Sequence, residues 1–227
     1  MGNARGGAGN GGGLLRIGAI AAAVVLGIVV YRDLIRYNVF PKRFAEVVPG
    51  QIYRSGKLTP AALRSVVREH GIRTIVDFGA WPEGSRADRR EARSAEALGI
   101  ERVRLTGLEG DSRGEVNGYV EALRIMNDPE RQPVLVHCGA GTERTGCVVA
   151  LYRVYEQGWS LEDAYGEADR MGHSPERNPH LRETLETYLE PIRDALVTGR
   201  PVEVEESGKE SAKGASEGER PAPEQDG

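Results

Sequence analysis

The chain has 227 residues, 30 lysines and arginines against 34 aspartates and glutamates, a formal net charge of −4 and a 39% hydrophobic share. That length and apolar content suit one domain with a core of ordinary size. Arginine and acid alternate through the middle of the chain with no basic stripe, which argues against a nucleic-acid partner.

Residues 1–13 are mostly glycine and are expected to be disordered. Residues 17–31 follow as an uncharged apolar run. As a helix this run covers about 22 Å against a hydrocarbon core of about 30 Å, so spanning requires Arg16 and Arg32 to reach toward the interfaces. The expectation is a single-pass transmembrane anchor over 14–35. A cleaved signal peptide fits less well because no small-residue cleavage site follows Tyr31, and a buried soluble helix is the remaining alternative. Arg32, Arg36, Lys42 and Arg43 after the run outnumber Arg5 and Arg16 before it. The charge difference places the protein at the cell membrane with its C-terminal portion on the cytoplasmic side.

From Phe44 onward apolar runs and helical patterns alternate, the mark of an α/β domain with a central, mostly parallel sheet flanked by helices, expected over 44–196. A short strand is predicted at 51–53. A helix over 59–69 follows, with Thr59 as N-cap, Pro60 in its first turn and Gly71 as its stop. The pattern continues with a strand at 72–78, a charged helix at 85–98 ended by Gly99, a strand at 100–105, a helix at 113–126 and a central strand at 134–137. Three helices come last, one to about residue 157, one from a Ser160 cap and one over 180–195, together covering one face. Residues 197–227 are charged, rich in Pro, Gly and Ser, and expected to be a solvated tail.

Between the apolar runs 133–136 and 147–151 lies His137-Cys138-Gly139-Ala140-Gly141-Thr142-Glu143-Arg144-Thr145-Gly146. A buried strand, a glycine-rich loop and a helix in that order aim backbone N–H groups and a helix N-terminus at whatever sits over Cys138. Cys138 is then a thiolate nucleophile at the floor of an anion cradle. Arg144 offers a planar two-pronged donor to two phosphoryl oxygens, which lysine replaces poorly. Gly139, Gly141 and Gly146 let the backbone curl or approach an anion, the Thr145 hydroxyl is placed to bond the sulfur, and His137 orients the loop. Cys147 reads as a small core residue, and no Cys/His spacing suits a metal, so neither metal nor cofactor is expected.

The run H-C-x-x-G-x-x-R-T-G resembles the signature of cysteine-dependent protein tyrosine and dual-specificity phosphatases. Gln51-Ile52-Tyr53-Arg54-Ser55-Gly56 and Thr74-Ile75-Val76-Asp77 resemble early elements of compact bacterial dual-specificity-like members, and the likeness covers about residues 44–192. The resemblance implies attack by Cys138, a phosphoryl group held by Arg144 and by residues 137–146, and an aspartate on an upstream loop as the acid. Asp111, after the apparent strand 102–105, is the first candidate and Glu109 the second; Asp111 also suits the N-cap of the following helix. Trp81-Pro82-Glu83 follows a different strand and reads as a surface turn. Asp77 reads as a partner of backbone or arginine. Glu143 adds negative charge to the loop, pointing outward or serving as a reserve acid.

The chain is therefore expected to be a phosphomonoester hydrolase working through a phosphocysteine intermediate on a phosphorylated protein or small phosphomonoester. Members that act on polyphosphorylated inositol lipids carry loop lysines, whereas this chain has Gly139, Ala140, Thr142 and Glu143 there. A phosphoinositide or small-molecule phosphatase remains an alternative, as does a catalytically weak phosphate-binding module. Sulfur transfer fits less well, since Arg144-Thr145-Gly146 suits phosphate esters.

Overall fold

The computed structural model describes residues 11–31 and 41–203. Helix α1 spans Gly11–Val30, and the remaining elements are β1 (Ala45–Val48), β2 (Ile52–Ser55), α2 (Pro60–His70), β3 (Thr74–Asp77), α3 (Arg86–Leu98), β4 (Glu101–Arg104), α4 (Asn117–Met126), β5 (Val134–His137), α5 (Glu143–Gln157), α6 (Leu161–Arg170) and α7 (His180–Thr198). The strands form one sheet in the order β1-β2-β5-β3-β4. Only β1 runs antiparallel to its neighbour; β2, β5, β3 and β4 are parallel. The architecture is the α/β sheet flanked by helices that the alternating pattern implies.

Each strand is four residues long, and side chains alternate between its faces. Tyr53, Ile75 and Leu135 point into a smaller core shared with Ala62, Leu63 and Val66 of α2. Ile52, Val76, Val134 and Val136 point into a larger core built with α4, α5, α6 and α7. Burial on both faces explains why 134–136 reads as a continuous apolar run. Each fully buried Ile or Leu contributes roughly 1.5–3 kcal/mol, enough for such short strands to hold register.

Local signals fix the element ends. Thr59, Ser85 and Ser160 accept hydrogen bonds from Ala62, Asp88 and Asp163 N–H groups, and Gly71 and Gly99 close α2 and α3 in the left-handed conformation. Helix α4 begins at Asn117, later than the 113 expected, because Gly114 takes φ 101° and pairs with Leu108, so the segment before it is a turn. Strand β1 was not anticipated. Helix α7 continues to Thr198, and beyond it Val202 is buried against the larger core and held by two hydrogen bonds with Asn117.

The expected transmembrane anchor over 14–35 needs correction. The helix starts at Gly11, and no helix among the described residues is long and apolar enough to cross a membrane. Glycines in the first turn and Arg16 leave an uncharged run shorter than the hydrocarbon layer. The described side chains of α1, including Ile20, Val24, Val25, Leu26, Ile28 and Val29, are exposed. The expected disorder of 1–13 falls on residues 1–10, outside the described residues, and on 11–13, which are helical. Residues 32–40 and the tail from 204 also lie outside them.

Candidate active site

The loop between β5 and α5 sits at the carboxyl end of the central strand, where ligands of open α/β sheets bind. Three successive carbonyls of this loop face outward and are paired. Gly139 O accepts from Lys57 N at 3.2 Å, Ala140 O from Arg43 Nη1 at 3.0 Å and Gly141 O from Arg54 Nη2 at 2.9 Å. With these carbonyls engaged outside, the amides are free to face inward, and Gly141 N–H donates to Cys138 Sγ at 3.2 Å. Gly141 holds φ +77°, and a Cβ there would lie 2.6 Å from Gly56 N; a Cβ on Gly56 would meet Ala140 O at 2.8 Å. Both positions therefore demand glycine. Thr142 at the α5 N-cap makes no side-chain cap bond, which leaves the first-turn N–H groups for an anion.

Arg144 is positioned from across the sheet. Its Nη1 donates to Phe78 O and, at 3.5 Å, to Gly79 O, while Nε is buried without a partner among the described residues. One edge of the guanidinium is thus fastened to protein and the Nε edge is left for phosphoryl oxygens. The carbonyls that fasten it are themselves set by Asp77, whose Oδ1 accepts from Ala80 N–H at 2.7 Å and bends the 78–80 turn.

Asp77 belongs to a buried ion network. Arg102 Nη2 lies 2.5 Å from Asp77 Oδ2, 2.6 Å from Asp88 Oδ1 and 3.1 Å from Glu91 Oε2, and Arg104 Nη1 reaches Asp77 and Asp88 at 3.0 and 2.9 Å. His137 Nε2 is 3.8 Å from both Asp77 Oδ1 and Glu91 Oε1, longer than a hydrogen bond. Burial pushes the Glu91 carboxyl up, against the pull of His137 and Arg102. Asp77, Glu91 and His137 converge closely enough to hold a metal ion, but two guanidiniums already supply the positive charge there.

Asp111 lies in the loop before α4. Its carboxylate accepts from Arg113 Nε at 3.1 Å, Nη2 at 2.7 Å and the Arg113 backbone N–H at 3.2 Å, and His180 Nε2 is 3.9 Å away. Partial burial raises its pKa, but the Arg113 hydrogen bonds outweigh this and hold it below the ordinary carboxylate value. Among the described residues no hydrogen bond joins Asp111 to the cradle. Glu109 is exposed and lies 3.8 Å from the Arg113 guanidinium. Glu143 turns to buried His173 Nδ1, 2.9 Å away, at the start of α5. The Thr145 hydroxyl is buried without a partner among the described residues. Cys147 is sealed in the core, where burial pushes its thiol up to about 12. Trp81 stands at a surface turn with Lys57 Nζ 4.5 Å from its ring centre.

Sequence reasoning did not single out Arg43, Arg54 or His173. A lone arginine inside the otherwise apolar 52–54 run was the available signal for Arg54. Arg43 and His173 meet the loop only through tertiary folding and leave no local trace.

Comparison with known proteins gives a consistent set. A family model described as "Tyrosine phosphatase family" matches residues 38–198. Inositol diphosphatase DSP2 of Oryza sativa subsp. japonica is 32% identical over 172 residues, covering 74% of this chain and 80% of the relative. Dual specificity protein phosphatase TpbA of Pseudomonas aeruginosa (strain UCBPP-PA14) is 41% identical over 81 residues, 35% of this chain and 37% of the relative. Among solved structures, the core catalytic domain of PP-IP phosphatase SIW14 from S. cerevisiae superposes with TM-score 0.58 at 24% identity, covering 70% of this chain and 94% of that one, a likeness of fold.

Proposed function

Since the chain belongs to the tyrosine phosphatase family, we propose that its cradle hydrolyses phosphomonoesters in two displacements at Cys138. The observation that carries this reading is the outward pairing of the Gly139, Ala140 and Gly141 carbonyls, with an amide on Cys138 Sγ and the buried Nε of Arg144 without a partner among the described residues. In the first step the Cys138 thiolate attacks phosphorus, an S–P bond forms, and the P–O bond to the leaving group breaks. Inward amides and Arg144 hold the charge on the transferring oxygens. Asp111, released from Arg113, gives its proton to the departing oxygen. In the second step water attacks phosphorus and yields its proton to Asp111; the P–S bond breaks, restoring the thiolate and releasing inorganic phosphate.

Turnover of p-nitrophenyl phosphate without added metal by the wild-type protein, compared with Cys138→Ser and Asp111→Asn, tests the assignment. Cys138→Ser is expected to abolish activity. Asp111→Asn is expected to cost about 10²–10⁴-fold on a poor leaving group and much less on p-nitrophenol. Activity that survives Cys138→Ser refutes the nucleophile, and tight phosphate binding without turnover in the wild-type protein favours a binding module instead.

The substrate of this reading is a phosphorylated protein or small phosphomonoester, as a loop without lysine suits a singly phosphorylated target. A second reading, an inositol pyrophosphate, is favoured by the inositol diphosphatase relatives and by Arg43 and Lys57 beside the loop. Initial rates on phosphopeptides and inositol pyrophosphates separate the two. The exposed apolar side chains of α1 support a further part of the proposal, attachment to a lipid bilayer with the catalytic domain on the cytoplasmic side.

A further inference from the structure

Arg54, in the middle of β2, is 1% exposed and among the largest fully buried side chains of the protein. Its guanidinium makes one hydrogen bond, to Gly141 O, and its Nε and Nη1 are buried without a partner among the described residues. A buried cation so poorly paired is costly unless negative charge lies nearby. Glu167 of α6 is close enough to help, but Arg153 of α5 already takes both its oxygens, at 2.8 Å each. Arg153 and Arg43 add positive charge of their own around Arg54. Burial lowers the Arg54 pKa to about 10, which still leaves it charged at neutral pH, and besides Glu167 the group whose ionised form would favour it is Cys138.

The backbone supports the same pairing. Strand β2 lies parallel to β5 with Arg54 opposite Val136, two residues before Cys138. Gly141, which accepts from Arg54, is the residue whose N–H meets Cys138 Sγ.

We propose that Arg54 is a positioning residue for the nucleophile: it fixes Gly141 against Cys138 and supplies from beneath the cradle the positive charge that balances the thiolate. This rests on Cys138 being the nucleophile. Arg144 faces the phosphoryl group, whereas Arg54 acts on the sulfur whether or not substrate is present. A merely structural arginine would support folding without affecting how readily the sulfur ionises.

The test uses the full chain as wild type, Arg54→Met, Arg54→Lys and, as a blank, Cys138→Ser. Ultraviolet thiolate absorbance against pH, the rate of iodoacetate alkylation, kcat and KM on p-nitrophenyl phosphate, and thermal melting are measured. Arg54→Met is expected to move the appearance of the thiolate to higher pH, and to slow alkylation and kcat/KM roughly 10-fold or more at about pH 6. The deficit should shrink as pH rises. Arg54→Lys keeps the charge and is expected to alkylate within about threefold of wild type while losing kcat through the looser hold on Gly141. A folded Arg54→Met protein whose thiolate appears at the wild-type pH overturns the proposal, whatever its kcat. Should Arg54→Met fail to fold, Arg54→Lys decides: a thiolate that forms only at the pH of a free cysteine overturns it. Activity surviving Cys138→Ser would instead overturn the nucleophile itself, so the two failures are distinguishable.

Discussion

Arg113 governs the proton that Asp111 would deliver. A carboxyl held below its ordinary pKa is almost wholly ionised near neutrality, and the fraction able to donate grows as pH falls. Turnover of a poor leaving group should therefore improve toward acid and level off once Asp111 is mostly protonated. Arg113→Gln removes the clamp, and the pH–rate profile for such a substrate is expected to move to higher pH. An unmoved profile would place the acid elsewhere, with Glu109 next in line. Cys138 and Arg144 were legible as residues because their chemistry is written in contiguous spacing. The clamp on Asp111 depends on a turn that brings Arg113 back over it, and the burial of Arg54 depends on the strands either side, so neither could be read from residue order.

The ion network ties β3, β4 and α3 together and, through Asp77 and the 78–80 turn, sets Arg144. Glu91 within it keeps its proton to higher pH in the folded chain than in the unfolded one. The stability from that proton is fully present below the ordinary value of 4.5 and is lost as pH rises through the folded value. Glu91→Gln removes this dependence, so wild-type Tm should fall relative to the variant's as pH rises from about 4.5 to neutrality; parallel Tm curves would contradict it. Elements with strong local signals were legible: the caps Thr59, Ser85 and Ser160 and the stops Gly71 and Gly99 act within a few residues of sequence. Strand β1 escaped because a four-residue edge strand gains its order from pairing with β2. The start of α4 was misplaced because a turn at Gly114 overrides the helical pattern around it.

The catalytic domain carries both of its cores within residues 47–202, and among the described residues α1 contributes no buried apolar side chain to them. Deleting residues 1–40 is accordingly expected to leave kcat/KM unchanged within about twofold and, under the bilayer attachment proposed above, to move the protein from a membrane pellet to the supernatant; a large loss of kcat/KM would tie α1 to catalysis. Composition disclosed an apolar N-terminal helix, but the docking of Val202 on Asn117 lies in sequence that reads as solvated tail. The seclusion of Cys147 bears on how the whole molecule withstands peroxide. Its thiol is buried and kept protonated, so it cannot attack a sulfenic acid formed on Cys138, and no other cysteine exists in the chain to do so. Repair has to come from a small external thiol entering by the substrate's own route, which makes a bound phosphate both a shield against the oxidant and an obstacle to recovery.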